Sequence, residues 1–453
     1  MTHIRILTFI LISLASSLAY AQRLTLCVDA ASHPYKGVVN IYMQDVLRVV
    51  ESTRAAAAAQ ASNNVDRYYR PSGDSLVVYM KDGSVRAWQR EDVSEYHYES
   101  KPALEKNFSV LLETDLVHRY LTEVVYDLDD YEYTLINDYA DRTMVQDEPR
   151  PLVISQDKSI EFIEGEQIAL YSDKEHKQLV KRHPLYTDSH VIWNTIPGDT
   201  LYYTIIDRDE TTILQKGYAT GYGQLRMIYA PSVNNIRDMG GWPLAGGGHI
   251  RYGRLFRGAK LHDPNNLYLT SEDSIRLREL GIKCEFDLRG STEAGGGNTA
   301  NNYSRLGKDV DYRIVPHGMY AYYNAVAVYP EYFRFGWNQI KAHLFAGDPI
   351  FIHCSHGCDR MGTWALVIEG VLGVEENNLN LDYELSTFAP KPGLWRYRNM
   401  HQSTPDYDFR ATIGYIKTLP GDTLKDKFEY FLVKKCLIPQ ADIERLRECL
   451  IEK

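Results

Sequence analysis

Two apolar runs meet across a polar break between residues 75 and 88. Ser75-Leu76-Val77-Val78-Tyr79-Met80 and Ser84-Val85-Arg86-Ala87-Trp88 flank Lys81-Asp82-Gly83, and the Asp-Gly pair predicts a hairpin. Upstream, apolar residues from Val39 to Ala61 recur at helical spacing and close on an alanine-rich run, which predicts a helix. Tyr-rich alternating runs occupy 121–140. From about residue 230 apolar runs alternate with helix-length stretches, the pattern of an α/β domain. There Thr270 to Leu280 predicts a helix, with Thr270 as cap, Asp273 in the capping-box position and Gly281 as stop. Ile282 to Leu288 predicts a strand, and Pro330 to Phe345 a helix with proline near its start. Pro349 to His353 predicts a second strand and Arg360 to Val371 the helix after it. Glycine triplets at 246–248 and 295–297 predict mobile surface loops.

Pro149-Arg150-Pro151 punctuates the chain. Short strands separated by turn residues follow it up to residue 229. Ser159 to Ile163 and Gln167 to Tyr171 are two of them, and Ile196-Pro197-Gly198-Asp199 turns into a Tyr-rich strand from Thr200 to Ile205. This stretch resembles a fibronectin type III or immunoglobulin-like β-sandwich. The predicted organisation is multidomain: a leader over 1–21, a small β-rich or α+β module over 22–150, a β-sandwich over 151–229, and a C-terminal α/β domain over 230–453. Modules of the first kinds position or recognise, so another protein or a glycan is the expected partner of the N-terminal part. The 34 tyrosines fit a glycan-binding surface, but strand propensity accounts for them more simply.

Composition narrows the class. With 44% apolar and 24% charged residues the chain is globular. A net charge of −10 argues against nucleic acid or an anionic membrane as the main partner. It leaves room for a local anion site made of oriented N–H groups and one arginine. Arg5, the apolar stretch Ile6 to Leu14 and Ala19-Tyr20-Ala21 form a secretory signal pattern, too short to span a membrane. The mature protein is expected to be exported, periplasmic or secreted, without an integral membrane segment. Six cysteines are too few for a disulfide scaffold. Cys436 and Cys449 flank the last helical region and are either a disulfide or two buried thiols.

The densest chemistry lies at 353–363: His-Cys-Ser-His-Gly-Cys-Asp-Arg-Met-Gly-Thr. Displacing a phosphoryl group with a thiol needs a thiolate, a dianion bound in line with the sulfur, and a proton for the leaving oxygen. Cys354 at a strand end, before a loop that curls into a helix, meets the first two demands. The amides of the loop, Ser355, His356, Gly357 and Cys358 among them, would converge on one anion with the helix dipole behind them. Such a field favours a thiolate. Gly357 permits the turn. Arg360 offers a planar fork for two phosphate oxygens. His353 orders the loop.

The loop and several further segments resemble the bacterial protein tyrosine/serine phosphatases, atypical relatives of the dual-specificity phosphatases. Asn235-Ile236-Arg237-Asp238-Met239-Gly240-Gly241, Arg254-Leu255-Phe256-Arg257-Gly258, Phe286-Asp287-Leu288-Arg289 with Glu293, and Asp382-Tyr383-Glu384-Leu385-Ser386 look like that family's segments in the same order. The resemblance implies a phosphotyrosine-phosphatase-like α/β domain, a phosphocysteine intermediate, no metal and no cofactor. Substrates would be phosphorylated proteins or small phosphate esters. Cys354 and Arg360 are then catalytic, and Asp359 is the implied general acid, unless it only caps the helix. Asp287 is the other acid in view, unless it forms a bracing ion pair with Arg289. His353, Arg237 and Asp238 support the loop. Two positions depart from the family: Cys358 stands where lysine is usual, and Met361 where a hydroxyl residue is usual. Cys358 either traps an oxidised Cys354 as an intraloop disulfide or fills the lysine position. An inositol-phosphate phosphatase and a phosphate-binding pseudo-phosphatase are the alternative functions.

Overall fold

The computed structural model describes residues 103–126, 149–208, 212–262, 269–291, 293–294, 303–315, 318–389 and 408–453, with a set of strands and one hairpin turn between residues 23 and 99. The predicted leader, the alanine-rich run, most of the Tyr-rich stretch and the second glycine triplet lie outside them.

In the N-terminal part, Arg23–Val28 pairs antiparallel with Gly37–Tyr42 and Val93–Glu99, and Val46–Ser52 pairs with Ser75–Met80. Ser75–Met80 and Val85–Gln89 form the predicted hairpin. Gly83 takes φ 85° in its turn, and the Met80 N–H bonds the Ser84 carbonyl at 2.9 Å. Among the described residues no helix forms from Val39: Gly37–Tyr42 and Val46–Ser52 are strands. The helical spacing there is carried by Val38, Val39, Ile41, Val46, Val49 and Val50, whose branched Cβ favours extended backbone.

Residues 152–222 form two facing sheets. Leu152–Ser155 pairs with Ser189–Ile192. The larger sheet runs Leu179–Pro184, Gln167–Tyr171, Thr200–Ile206, Ile213–Tyr222. Leu152, Ile154, Ile168, Leu170, Tyr203, Ile205 and Ala219 share the core between them. Ser159 to Ile163 is not a strand. Asp157 Oδ1 accepts from the Ser159 N–H and hydroxyl, both at 2.9 Å, and this local turn competes with extended pairing. Leu104–Glu105 and Phe108–Leu111 pair parallel with Ile213–Tyr222, so the sheet takes strands from before Pro149.

Helix α1 (Asp115–Glu123) leaves the sandwich and enters the C-terminal core. Thr114 Oγ1 caps it by accepting from the Val117 N–H at 3.2 Å. Val117, Tyr120, Leu121, Val124 and Tyr126 belong to the same apolar cluster as the C-terminal sheet and helices. The Tyr120 and Tyr126 hydroxyls both donate to Glu384, and Asn377 Oδ1 accepts from the Tyr126 N–H at 2.8 Å.

The C-terminal sheet has the order Arg237–Asp238, Leu255–Ala259, Ile350–Cys354, Cys284–Gly290, Asp311–Val315. Its first pair is antiparallel and the rest are parallel. Strand alternation sorts the side chains. Phe256 and Phe351 face a smaller cluster that includes Leu277 of α2 (Ser271–Glu279). Leu255, Phe286, Leu288, Ile350 and Ile352 face the larger one. That layer contains α3 (Glu331–Ala346), α4 (Arg360–Leu372), α5 (Glu376–Glu384), α6 (Phe409–Lys417), α7 (Leu424–Tyr430) and α8 (Gln440–Leu450). A parallel sheet covered on both faces requires such continuous apolar strands.

Three local expectations change. Thr270 caps α2, but Asp273 does not close the box: its carboxylate accepts from the Ser232 N–H at 2.7 Å and Arg276 at 2.9 Å. Glycines 246–248 form a tight turn rather than a mobile loop. Gly248 has φ 77°, and a Cβ there would lie 2.2 Å from the Glu452 carbonyl oxygen, so both its backbone and its packing call for glycine. Cys436 and Cys449 are both free, with Cys436 packed inside the larger core. Among the described residues no helix is long and apolar enough to cross a membrane.

Candidate active site

Cys354 ends the Ile350–Cys354 strand, and α4 begins six residues later at Arg360. Period-two alternation continues to the strand end. Cys354 shares the face of Ile350 and Ile352, while His353 stacks on Phe351 on the opposite face at 5.3 Å. The chain then curls back, and the Gly357 N–H donates to Cys354 Sγ at 3.2 Å. Gly357 has φ 73°, and a Cβ there would lie 2.6 Å from the Gly258 backbone. Both the dihedral and the space demand glycine.

Arg360 reaches across the loop. Its Nη1 and Nη2 donate to the two Glu293 oxygens at 2.6 and 2.8 Å, and Nη2 donates to Ser355 Oγ at 3.2 Å. Ser355 Oγ donates to Glu293 in turn. Arg360 first, then Ser355, holds the Glu293 carboxyl down at about 2. The fork of Arg360 is thus already oriented by a carboxylate. Only its place four residues after Arg289, in the family-like segment, marks Glu293 in the sequence.

On the other face, His353 Nε2 lies 2.9 Å from Glu285 Oε1, and its Nδ1 lies 3.8 Å from Asp287. Asp287 is surrounded by donors: Arg289 Nη2 at 2.7 Å and Nε at 3.0 Å, the Arg289 N–H at 2.9 Å, and the Tyr312 hydroxyl at 3.0 Å. Burial alone would raise this carboxyl, but His353 and Arg289 outweigh it and hold Asp287 below its usual range. Asp287 and Arg289 form a buried ion pair.

Asp359 precedes α4 but makes no side-chain cap bond to it. Its Oδ1 instead accepts from the Tyr322 hydroxyl at 2.5 Å. Thr363 Oγ1 donates to the Asp359 carbonyl at 2.9 Å and accepts from the Tyr322 N–H at 2.8 Å. Met361 is fully buried. Cys358 packs against Ala389 with Asn235 Nδ2 3.5 Å from its sulfur. Burial pushes its thiol up to about 12, and both Cys354 and Cys358 are free. The geometry favours Cys358 as a small buried filler.

A buried polar layer holds the loop from below. Arg257 Nη2 donates to the Gly357 carbonyl at 3.0 Å and its Nη1 pairs with Asp382. Arg237 donates to Asp382 Oδ1 at 3.2 Å, to the Asp382 carbonyl at 2.7 Å and to Asn235 Oδ1 at 2.6 Å. Asn235 Nδ2 reaches the His356 carbonyl at 3.2 Å and Ser386 Oγ at 3.0 Å. Arg237 is therefore tied to the loop. Asp238 is not: it accepts from Arg226 at 3.2 Å and from the Gly240 and Gly253 N–H groups at 2.9 and 2.7 Å, bracing its own turn. Asn235, Arg257 and Asp382 gain roles here that only their presence in the family-like segments had hinted at.

A thiol at a strand end, a loop amide on its sulfur and an arginine in the first turn of the next helix thus stand together on an α/β sheet. Residues 228–452 match the model of the tyrosine phosphatase family, and this part of the chain belongs to that family. A Cupriavidus necator protein named as a candidate tyrosine-protein phosphatase is 25% identical over 168 residues, covering 34% of this chain. The chain spans 60% of that relative's length.

Proposed function

We propose that this protein hydrolyses phosphate monoesters, phosphotyrosine foremost, through a phosphocysteine at Cys354. The observation that carries this reading is the Gly357 N–H on Cys354 Sγ beside a pre-oriented Arg360. The helix N-terminus and the loop amide favour a thiolate and a bound dianion. The thiolate attacks phosphorus: the S–P bond forms, the ester P–O bond breaks, and Asp359 gives its proton to the leaving oxygen. Water then attacks the phosphocysteine and gives its proton to Asp359. The new P–O bond forms, the S–P bond breaks, and inorganic phosphate leaves with Cys354 a thiolate again. Throughout, Arg360 exchanges Glu293 oxygens for phosphoryl oxygens.

Asp359 is preferred to Asp287 on physical grounds. Asp287 is taken up by Arg289 and Tyr312 and lies against His353, on the face of the sheet opposite Cys354. Asp359→Asn is expected to slow hydrolysis of alkyl phosphates and other poor leaving groups about 10²–10³-fold. Esters of acidic phenols should be affected far less. A Brønsted plot of rate against leaving-group pKa checks this; parallel plots for variant and wild type would remove Asp359 from the role.

A second observation bears on the later half-reaction. Met361 offers no hydroxyl near the sulfur, and the Thr363 hydroxyl is committed to Tyr322 and Asp359. Breakdown of the phosphocysteine is therefore the expected slow step. Stopped-flow assays with an aryl phosphate should give a burst close to one phenolate per site before slow turnover. Phosphate binding without any phenolate release would instead favour a binding module. Parallel release assays with phosphotyrosine, phosphoserine and phosphoinositide probe the substrate class. We read residues 1–21 as an export signal, on their sequence pattern. The two-sheet module is read as fibronectin type III-like, placing the catalytic domain rather than adding chemistry.

A further inference from the structure

Tyr322 lies between the Asp311–Val315 strand and α3, in a segment that contains no carboxylate. Its backbone is left-handed, with φ 55°, a conformation that a residue with a bulky side chain rarely adopts. Its surroundings hold it there. Its N–H is taken by Thr363 Oγ1 at 2.8 Å, and the same Thr363 hydroxyl donates to the Asp359 carbonyl at 2.9 Å. Its ring is buried, edge-on to Tyr383 at 6.2 Å, and Tyr383 is stacked on Phe409 at 4.0 Å. The Tyr322 hydroxyl is thereby delivered to Asp359 Oδ1 at 2.5 Å, with the Tyr383 hydroxyl 2.8 Å behind it. Asp359 is gripped at both its carbonyl and its carboxylate by one closed set of contacts.

We infer that Tyr322 is a positioning residue for the general acid: its hydroxyl, backed by that of Tyr383, orients the Asp359 carboxyl over the phosphate loop. The inference rests on the reading of Asp359 as acid and base. A hydrogen bond from a buried, packed donor holds the carboxyl in one orientation, and catalysis depends on such orientation. The titratable groups set against Asp359 are Tyr322, Tyr383 behind it on α5, and Cys358 on the loop itself; Cys354 and Arg257 stand one step further, against Cys358. Burial, then Tyr383 and Asp359, pushes the Tyr322 hydroxyl well above its ordinary range, and burial pushes Cys358 up to about 12. Both stay neutral where the enzyme works, so Tyr322 keeps the proton it donates to Asp359.

The test is the leaving-group dependence of kcat/KM for the full chain and three variants on a series of aryl phosphates, with vanadate inhibition as a check on site integrity. Asp359→Asn should steepen the dependence on leaving-group pKa; an unchanged slope places the acid elsewhere, and both readings fall. Tyr322→Phe should steepen it in the same sense but by less, costing about 10-fold on the poorest leaving group, the size expected for one hydrogen bond to a charged group. Tyr383→Phe should steepen it the same way by less still. A uniform fall in rate with the slope unchanged in Tyr322→Phe marks a merely structural residue and overturns the inference, while leaving Asp359 as the acid. Should Tyr322→Phe fail to bind vanadate, Tyr383→Phe decides alone: a steeper slope upholds the inference and an unchanged slope overturns it.

Discussion

Cys354→Ser is expected to lower kcat on an aryl phosphate at least about 10⁴-fold, the scale on which a lost nucleophile acts in other covalent enzymes. The reason lies in the face of the sheet. A serine hydroxyl is a weak nucleophile unless a base takes its proton. The neighbouring His353 cannot serve: strand alternation turns it to the opposite face, where its Nε2 is 2.9 Å from Glu285. The site suits a group that needs no base, which is a thiolate. The same variant should keep its affinity for inorganic phosphate within a few-fold, because the Gly357 amide and Arg360 remain. Single-turnover kinetics and calorimetry with phosphate measure the two halves. Residual turnover above about one per cent would mean that Cys354 is not the nucleophile.

Asp382→Ala should produce the largest loss of stability. Asp382 sits between Arg237 and Arg257, which are 1% and 0% exposed. Burial opposes its charge, but the two guanidiniums hold its carboxyl below the ordinary range. Removing it leaves two buried cations facing each other. Breaking a buried pair in this way costs about 3–5 kcal/mol, or about 10 °C in melting temperature for a domain of this size. The effect should also reach the active site, because Arg257 would lose the partner that aims it at the Gly357 carbonyl. Asp238→Ala is the control. It too unpairs a buried arginine, Arg226, but has no bond to the loop. Calorimetric melting with phosphate titration separates the cases: both variants should melt early, and only Asp382→Ala should bind phosphate weakly. Equal phosphate affinity in the two would disconnect this layer from the loop.

How much of this was legible depends on the range of each interaction. The loop was readable because its logic is local: an apolar strand, a turn that only Gly357 permits, and a helix starting at Arg360. The layer beneath was visible only as segments, since Asn235 and Arg257 meet the loop 121 and 100 residues further along the chain and Asp382 reaches Arg257 across 125. Tyr322 stayed hidden because a search for a general acid looks for carboxylates, and its hydroxyl acts through one. The departures are also local. From Val39 branched side chains prefer strands despite their helical spacing, and at Ser159 a turn imposed by Asp157 replaces the strand. Of the two readings left open for Cys436 and Cys449, the free thiols are what the structure holds, both set against the larger apolar core.

The family match begins at residue 228, yet the core begins with α1. Tyr120 and Tyr126 close over Glu384, two residues beyond Asp382. A fragment cut at the family boundary would keep every catalytic side chain and lose the cover over a buried carboxylate. It would also bare the apolar surface that Val117, Leu121 and Val124 occupy. For truncation, fusion or crystallisation, the workable unit is therefore longer than the recognisable one: it should retain the chain from about residue 103, sandwich included.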